Sequence, residues 1–307
     1  MGKIWHYYQV HGLSVKSQIM LPHLVGIAPV SADVAICLGN VAENLHRPVK
    51  KAVLFEVATR QFLLKVPNIG SFLVENGNRI TVGTNNGNST SPDLLVYLYG
   101  PAFGAVLHQR GMLPLHASTV VDISGKAIVI AGRSGAGKST LCHHLLQSGK
   151  YSFLSDDTTT IQFDRNNKAL AWPGLQNNKL WHDALQKTNS FHSSLEKVRD
   201  NIEKYRFHYN GNTCNQASEI KTIIVLNSWN QPGIKVTKLG GMVRFNALRK
   251  NTYGSMYLIP GEAQRQLLST VQGCRLTCWC TSWLDLPINT CCKKYSTKLK
   301  PYDRPTC

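Results

Sequence analysis

The sequence predicts an α/β chain in two parts, a smaller β-rich N-terminal part followed by one in which strands alternate with a few helices. Three observations predict it. Short apolar runs separated by turn residues fill positions 5–84. The run Ala127-Ile128-Val129-Ile130-Ala131 has the length and composition of a buried strand and leads straight into a glycine-rich loop. Residues 139–147 then carry a helical pattern that Gly149 stops.

Taken in order, residues 33–38, 52–58 and 61–66 are strands bounded by turn residues. Residues 71–74 and 79–82 make a hairpin around Asn76-Gly77, the dipeptide that tolerates the positive φ angles of a tight turn. The polar loop 85–91 ends in Ser91-Pro92-Asp93, which supplies an N-cap, a proline at the first helical position and an acid for the helix dipole. A helical connector runs from there, broken at Gly100-Pro101, towards Arg110-Gly111. We place the domain boundary near residue 105, giving a β-rich domain 1–105, a second domain 106–272 and a tail 273–307. Strands are expected at 119–123 and 126–131 as a pair, then at 151–154, 158–163, 221–226 and 234–239. Helices are expected after the glycine loop, around 180–186, and at 241–250. No internal repeat is apparent.

With 307 residues, 43% of them hydrophobic, the chain can bury a substantial core, which excludes a disordered protein. The formal charge of +17 attracts polyanions. No basic stripe interleaved with aromatics accompanies it, so nucleic acid is not an expected partner, and the excess reads as a solvated surface that helps recruit a negatively charged substrate. The first residues lack the apolar core of a secretory signal, and His6 stands where a myristoylation pattern wants Ser or Thr. The apolar stretch 94–109 is too short and too interrupted to span a bilayer and reads as buried helix. A cytoplasmic chain with no membrane partner and free thiols is the expectation. Six of the nine cysteines crowd the end (Cys274, Cys278, Cys280, Cys291, Cys292 and Cys307) at spacings that match no ordinary zinc site, so an irregular tail is expected there.

The loop is Gly132-Arg133-Ser134-Gly135-Ala136-Gly137-Lys138-Ser139, and it fills every fixed position of G-x-x-x-x-G-K-[ST]. A polyphosphate needs many donors at close range. Glycines let the backbone approach, successive N–H groups converge, and the helix N-terminus adds positive potential. The pattern therefore points to a nucleoside triphosphate, with Lys138 reaching the β/γ phosphates, Ser139 on Mg²⁺ and Thr140 closing the cradle. Ser155-Asp156-Asp157 follows the next strand, where two carboxylates face the phosphates and can divide metal holding from orientation of an acceptor. His116, in His116-Ala117-Ser118, precedes the strand pair that feeds the loop.

Leu113-Pro114-Leu115-His116-Ala117-Ser118, residues 132–140 and Leu154-Ser155-Asp156-Asp157, in that order and at compact spacing, resemble the HPr serine kinase/phosphorylase family. The closer resemblance is to the HPr-kinase-like proteins associated with lasso-peptide precursors. Gly100-Pro101-Ala102, His108-Gln109-Arg110-Gly111 and Trp172-Pro173-Gly174 with Lys179-Leu180-Trp181 are similar to segments of those relatives. The resemblance covers about residues 5–255. It implies a P-loop, HPr-kinase-like (PEP carboxykinase-like) C-terminal domain, ATP and Mg²⁺ as cofactors, and transfer to a serine of a peptide or small protein, such as the C-terminal serine of a lasso precursor. It also implies a possible homo-oligomer and a substrate-positioning N-terminal domain. By the same resemblance Asp156 is the general base, Asp157 and Ser139 are Mg²⁺ ligands, His116 lies near the acid pair, and Lys179 and Arg206 are anion contacts. Where HPr kinases carry a glycine-rich acidic signature this chain has Pro173-Gly174-Leu175-Gln176-Asn177-Asn178-Lys179, so neither reverse phosphorylase activity nor HPr as substrate is implied. Two other classes stand beside this reading: a nucleotide-binding regulatory or scaffold protein, and a small-molecule kinase.

Overall fold

The computed structural model describes residues 4–85, 87–175, 178–181, 197–199, 202–207, 213–228, 234–259, 267 and 276–281. Within them the chain is mixed α/β, with two nine-stranded sheets, one three-stranded sheet and few helices. The first sheet runs in the spatial order Val25–Gly26, His6–Val10, Leu13–Ser17, Val34–Leu38, Arg79–Thr84, Gly70–Glu75, Gln61–Val66, Phe55–Ala58, Lys50–Lys51. Alternation in Gly70–Glu75 sends Phe72 and Val74 inward with no exposure, and Ile80 and Val82 meet them from the next strand. The turn between those two strands holds Asn76 and Gly77 at φ 53° and 66°, as the Asn-Gly pair requires.

The helix Pro92–Tyr97 starts on Ser91, whose side chain accepts from Leu94 N. The connector does not break at Gly100-Pro101. It widens into one π turn, Leu98–Ala102, and continues as the helix Phe103–Gln109. A proline inside an α-helix removes a donor and clashes one turn back, and a π turn absorbs both faults without ending the helix. Leu94, Leu98, Phe103, Val106 and Leu107 pack against the first sheet in one cluster that extends to Met112, and the next cluster begins at Leu113.

The main path of the second sheet is Leu113–Leu115, Thr159–Phe163, Ala169–Trp172, Ser218–Ser228, Ala127–Gly132, Ala117–Asp122, Tyr151–Ser155. Ala127–Gly132 is buried at every position and pairs parallel with Ser218–Ser228, which explains its unbroken apolar run. Two expectations are corrected here. Asn178–Trp181 is a strand paired with Ile202–Phe207, so Leu180 does not start a helix, and 182–186 lie outside the described residues. The strand is fixed by its pairing with residues more than twenty positions away, which local periodicity cannot see. Leu276–Thr281, expected as irregular tail, is a strand parallel to Ser218–Ser228. The rest of the cysteine-rich tail lies outside the described residues. No helix among the described residues is long and apolar enough to cross a membrane.

The tip of the first hairpin reaches the second sheet. His11 and Gly12 form its two-residue turn at φ 54° and 77°. His11 N donates to Pro173 O at 2.7 Å, and His11 Nδ1 lies 2.9 Å from Thr160 Oγ1. A Cβ on Gly12 would stand 2.5 Å from the Trp172 ring, so only glycine fits there. Burial lowers the His11 pKa to about 4. The unfolded chain then takes up this proton first as pH falls, so the stability His11 contributes is whole above about 6.5 and is lost towards 4. That shift corresponds to about 3 kcal/mol. Burial lowers His108 and His143 to about 4 as well, and they act in the same window. His11→Asn, which keeps the turn geometry, should flatten the fall in melting temperature between pH 7 and 4, measured by thermal denaturation. An unchanged slope would assign the acid sensitivity to the other histidines.

Candidate active site

The glycine loop leaves the strand Ala127–Gly132 beside its parallel neighbour. A Cβ on Gly132 would lie 2.9 Å from Leu226 O and 3.2 Å from Ala136 Cβ, so the first glycine is required by close approach. Gly135 and Gly137 have φ of 81° and 88°, a region that L side chains rarely enter. Ala136 N donates to Arg133 O at 3.1 Å and closes the loop. The helix Lys138–Gln147 starts directly after it, and Leu141 N donates to Gly137 O. Lys138 is 6% exposed, and its Nζ donates to Arg133 O at 3.1 Å. The ammonium is therefore held over the loop, while Arg133, Ser134 and Gly135 face solvent. Gly132, Ala136, Ser139 and Thr140 complete the surround.

Asp156 and Asp157 follow the strand Tyr151–Ser155, but they face different neighbours. Asp156 is 2% exposed. Ser139 Oγ donates to its two carboxylate oxygens at 3.0 and 3.3 Å, and Ser118 Oγ donates to Oδ1. A bulge between Thr119 and Val120 shifts the register of the strand carrying Ser118, the kind of local irregularity that re-aims side chains beside a site. Thr158 N donates to Asp156 O at 2.8 Å, closing a three-residue turn with Asp157 at φ 68°. That conformation costs on the order of 1–3 kcal/mol in general and persists where the surroundings enforce it. In this turn His116 Nδ1 lies 3.6 Å from Asp157 Oδ1.

His116 Nδ1 also lies 3.0 Å from Asp157 O. A carbonyl only accepts, so this contact places the proton on Nδ1. Burial first, and then the Lys138 charge, lower the His116 pKa, with the two aspartates pulling the other way. The imidazole is thus neutral at neutral pH, with its Nδ1 proton on the Asp157 carbonyl. Below the acid pair, Cys142 is fully buried; burial and the Asp156 charge push its thiol pKa up, so it stays protonated and inert.

No family model matches the chain, and no curated protein matches its sequence. Among solved structures, the HPr(Ser) kinase/phosphatase from Coxiella burnetii aligns at 13% identity over 61% of this chain and 99% of that chain, with a TM-score of 0.29. An overlap of that size assigns neither fold nor activity.

The structure brings Lys138, Ser139, Asp156, Asp157 and His116 into one site. Ser139, which the resemblance groups with Asp157 on the metal side, donates to the Asp156 carboxylate. The expectation had no way to see the reversed turn at Asp157. Ser118 escaped notice although it stands two residues after His116; the signal was the alternation of the strand, which puts positions 116 and 118 on one face. Tyr253, which bounds the site from the far end of the chain, had no local signal. Its backbone N donates to Pro114 O, and His116 N donates to Asn251 O. Lys179 and Arg206 are directly opposed in the register of their strands, and their side chains lie outside the described residues.

Proposed function

We propose that this chain is an ATP- and Mg²⁺-dependent kinase that transfers the γ-phosphoryl group to a hydroxyl of a peptide or small protein. The observation that carries the reading is the pairing of a glycine loop with two carboxylates of different exposure, one bonded to the loop serine and one turned towards a neutral histidine. The donor set fits the ligands: Gly132 leaves room for close backbone approach, and Ser139 with Asp156 offers two hard oxygen donors side by side. Mg²⁺ held by Ser139 and Asp156 would neutralise charge on the β and γ phosphates.

The chain's own groups do the remainder. Lys138 and the loop amides bind and orient the phosphates. Asp157 orients the acceptor hydroxyl and takes its proton as the new O–P bond forms and the bond to the departing diphosphate oxygen breaks. His116 holds Asp157 in place. We assign Asp156 to the metal and Asp157 to the acceptor, the reverse of the sequence expectation. The division into domains near residue 105, with the first sheet positioning substrate, belongs to the same proposal.

The acceptor to test first is the one that the sequence resemblance implies, a peptide ending in serine of the lasso-precursor kind. Purified protein with ATP, Mg²⁺ and that peptide should yield a phosphopeptide detectable by mass, dependent on the serine hydroxyl. Nucleotide binding with no phosphorylated product across peptides and small alcohols would instead favour a regulatory nucleotide-binding protein.

A further inference from the structure

The acid pair has a second side. Asp156, Asp157 and Thr158 also form one wall of a cavity of about 240 Å³, on whose other walls stand His11, Tyr97, Tyr99 and Tyr253. From the geometry we infer that this cavity takes the acceptor, and that it selects a small hydroxyl-bearing group carrying no negative charge. The inference rests on the kinase reading above and adds the class of its substrate.

Size comes first. The volume lies below the range of about 300–1,000 Å³ typical of drug-sized ligand pockets, so one hydroxyl-bearing residue or a molecule of that size is the natural occupant. Charge comes second. Among the described residues the lining holds two carboxylates and neither lysine nor arginine. With Asp156 given to the metal, an anionic acceptor would meet the like charge of Asp157 at short range. His11 gives no relief, because it is buried and neutral at neutral pH.

The π turn sets the shape. Tyr97 caps its start and Tyr99 precedes Gly100 in it, and a Cβ on Gly100 would lie 2.6 Å from Tyr253 Oη. Gly104, one turn on, also faces the same ring, where a Cβ would lie 3.0 Å from Cε1. Tyr253 is held against a glycine face by contacts that leave little slack, with its carbonyl accepting from His108 Nε2 at 2.7 Å. Gly100→Ala must displace Tyr253 and alter the cavity without touching the glycine loop.

The test compares acceptors that differ in charge: N-acetylserinamide and an end-capped Gly-Ser-Gly peptide as neutral, ethanolamine as cationic, and glycerate as anionic, each with MgATP. Transfer moves one phosphoryl group from ATP to the hydroxyl oxygen, leaving ADP and a proton. We expect kcat/KM for the neutral and cationic acceptors to exceed that for glycerate by on the order of tenfold or more. The peptide and the free amide tell a residue in a chain from a free small molecule. Val96→Lys adds a cation to the lining and should raise glycerate transfer selectively, while Gly100→Ala should raise KM for N-acetylserinamide and leave ATP affinity unchanged. Glycerate used as well as the neutral acceptors, or both variants behaving as wild type, overturns the cavity inference and leaves the kinase reading standing. Transfer to no acceptor despite tight MgATP binding overturns the kinase reading. The cavity is then judged by saturation-transfer NMR with N-acetylserinamide. A saturation signal that the wild type gives and Gly100→Ala does not supports the cavity, and equal signals in both proteins overturn it.

Discussion

Asp157→Asn will bind MgATP as the wild type does and transfer its γ-phosphoryl group roughly 10²–10⁴-fold more slowly, the usual cost of removing a general base. Asparagine is the informative replacement because the position sits at φ 68°, a conformation that Asn tolerates nearly as well as Asp. The backbone turn and its Thr158 N to Asp156 O bond should therefore survive, and the loss can be read as chemistry. The matched control is Asp156→Asn. Its carboxylate accepts from Ser139 and Ser118 in a site closed to solvent, so the amide should shift the Mg²⁺ requirement upward and weaken nucleotide binding. Calorimetry across a Mg²⁺ series, run beside a phosphopeptide assay, separates the two. If Asp156→Asn is the variant that binds normally and fails in transfer, the roles assigned to the acids are reversed.

Lys138→Ala should lower nucleotide affinity roughly 10–100-fold, on the scale of one charge-assisted hydrogen bond to a phosphate, and lower transfer further. The ammonium is already held over the loop by Arg133 O, so its position needs little rearrangement when phosphate replaces that carbonyl. Lys138→Arg should not rescue it, since a planar fork cannot take the place of a compact ammonium in a 6% exposed site. Binding is measured by calorimetry, and melting temperature shows that the variant folds. Affinity unchanged in Lys138→Ala would remove the phosphate-binding role from this loop.

Much of the site was legible because its parts are local. The run into Gly132, the spacing to Lys138 and Ser139, and the acids after a short strand are each contiguous in sequence, and each took the expected place in a strand, turn or helix. The Asn76-Gly77 hairpin and the Ser91 cap were legible for the same reason. What depends on contacts between distant positions was not. The π turn at Gly100-Pro101 exists because packing on both sides keeps the helix whole, and a proline by itself signals only a break. The strand at Asn178–Trp181 depends on a partner more than twenty residues away in sequence. The reversed turn at Asp157 rests on one positive φ angle, which no residue type at those positions announces.

The hairpin tip at His11 and Gly12 ties the two sheets into one cooperative unit. It holds Thr160 and Pro173, and the next residue, Gly174, donates its backbone N to Leu154 O on the strand that ends at the acids. Peeling the first sheet away would strip those bonds, uncover Trp172 and loosen the strand from which Asp156 and Asp157 project. Cutting the chain between the sheets would therefore leave the half that keeps the acids without the clamp that sets their strand.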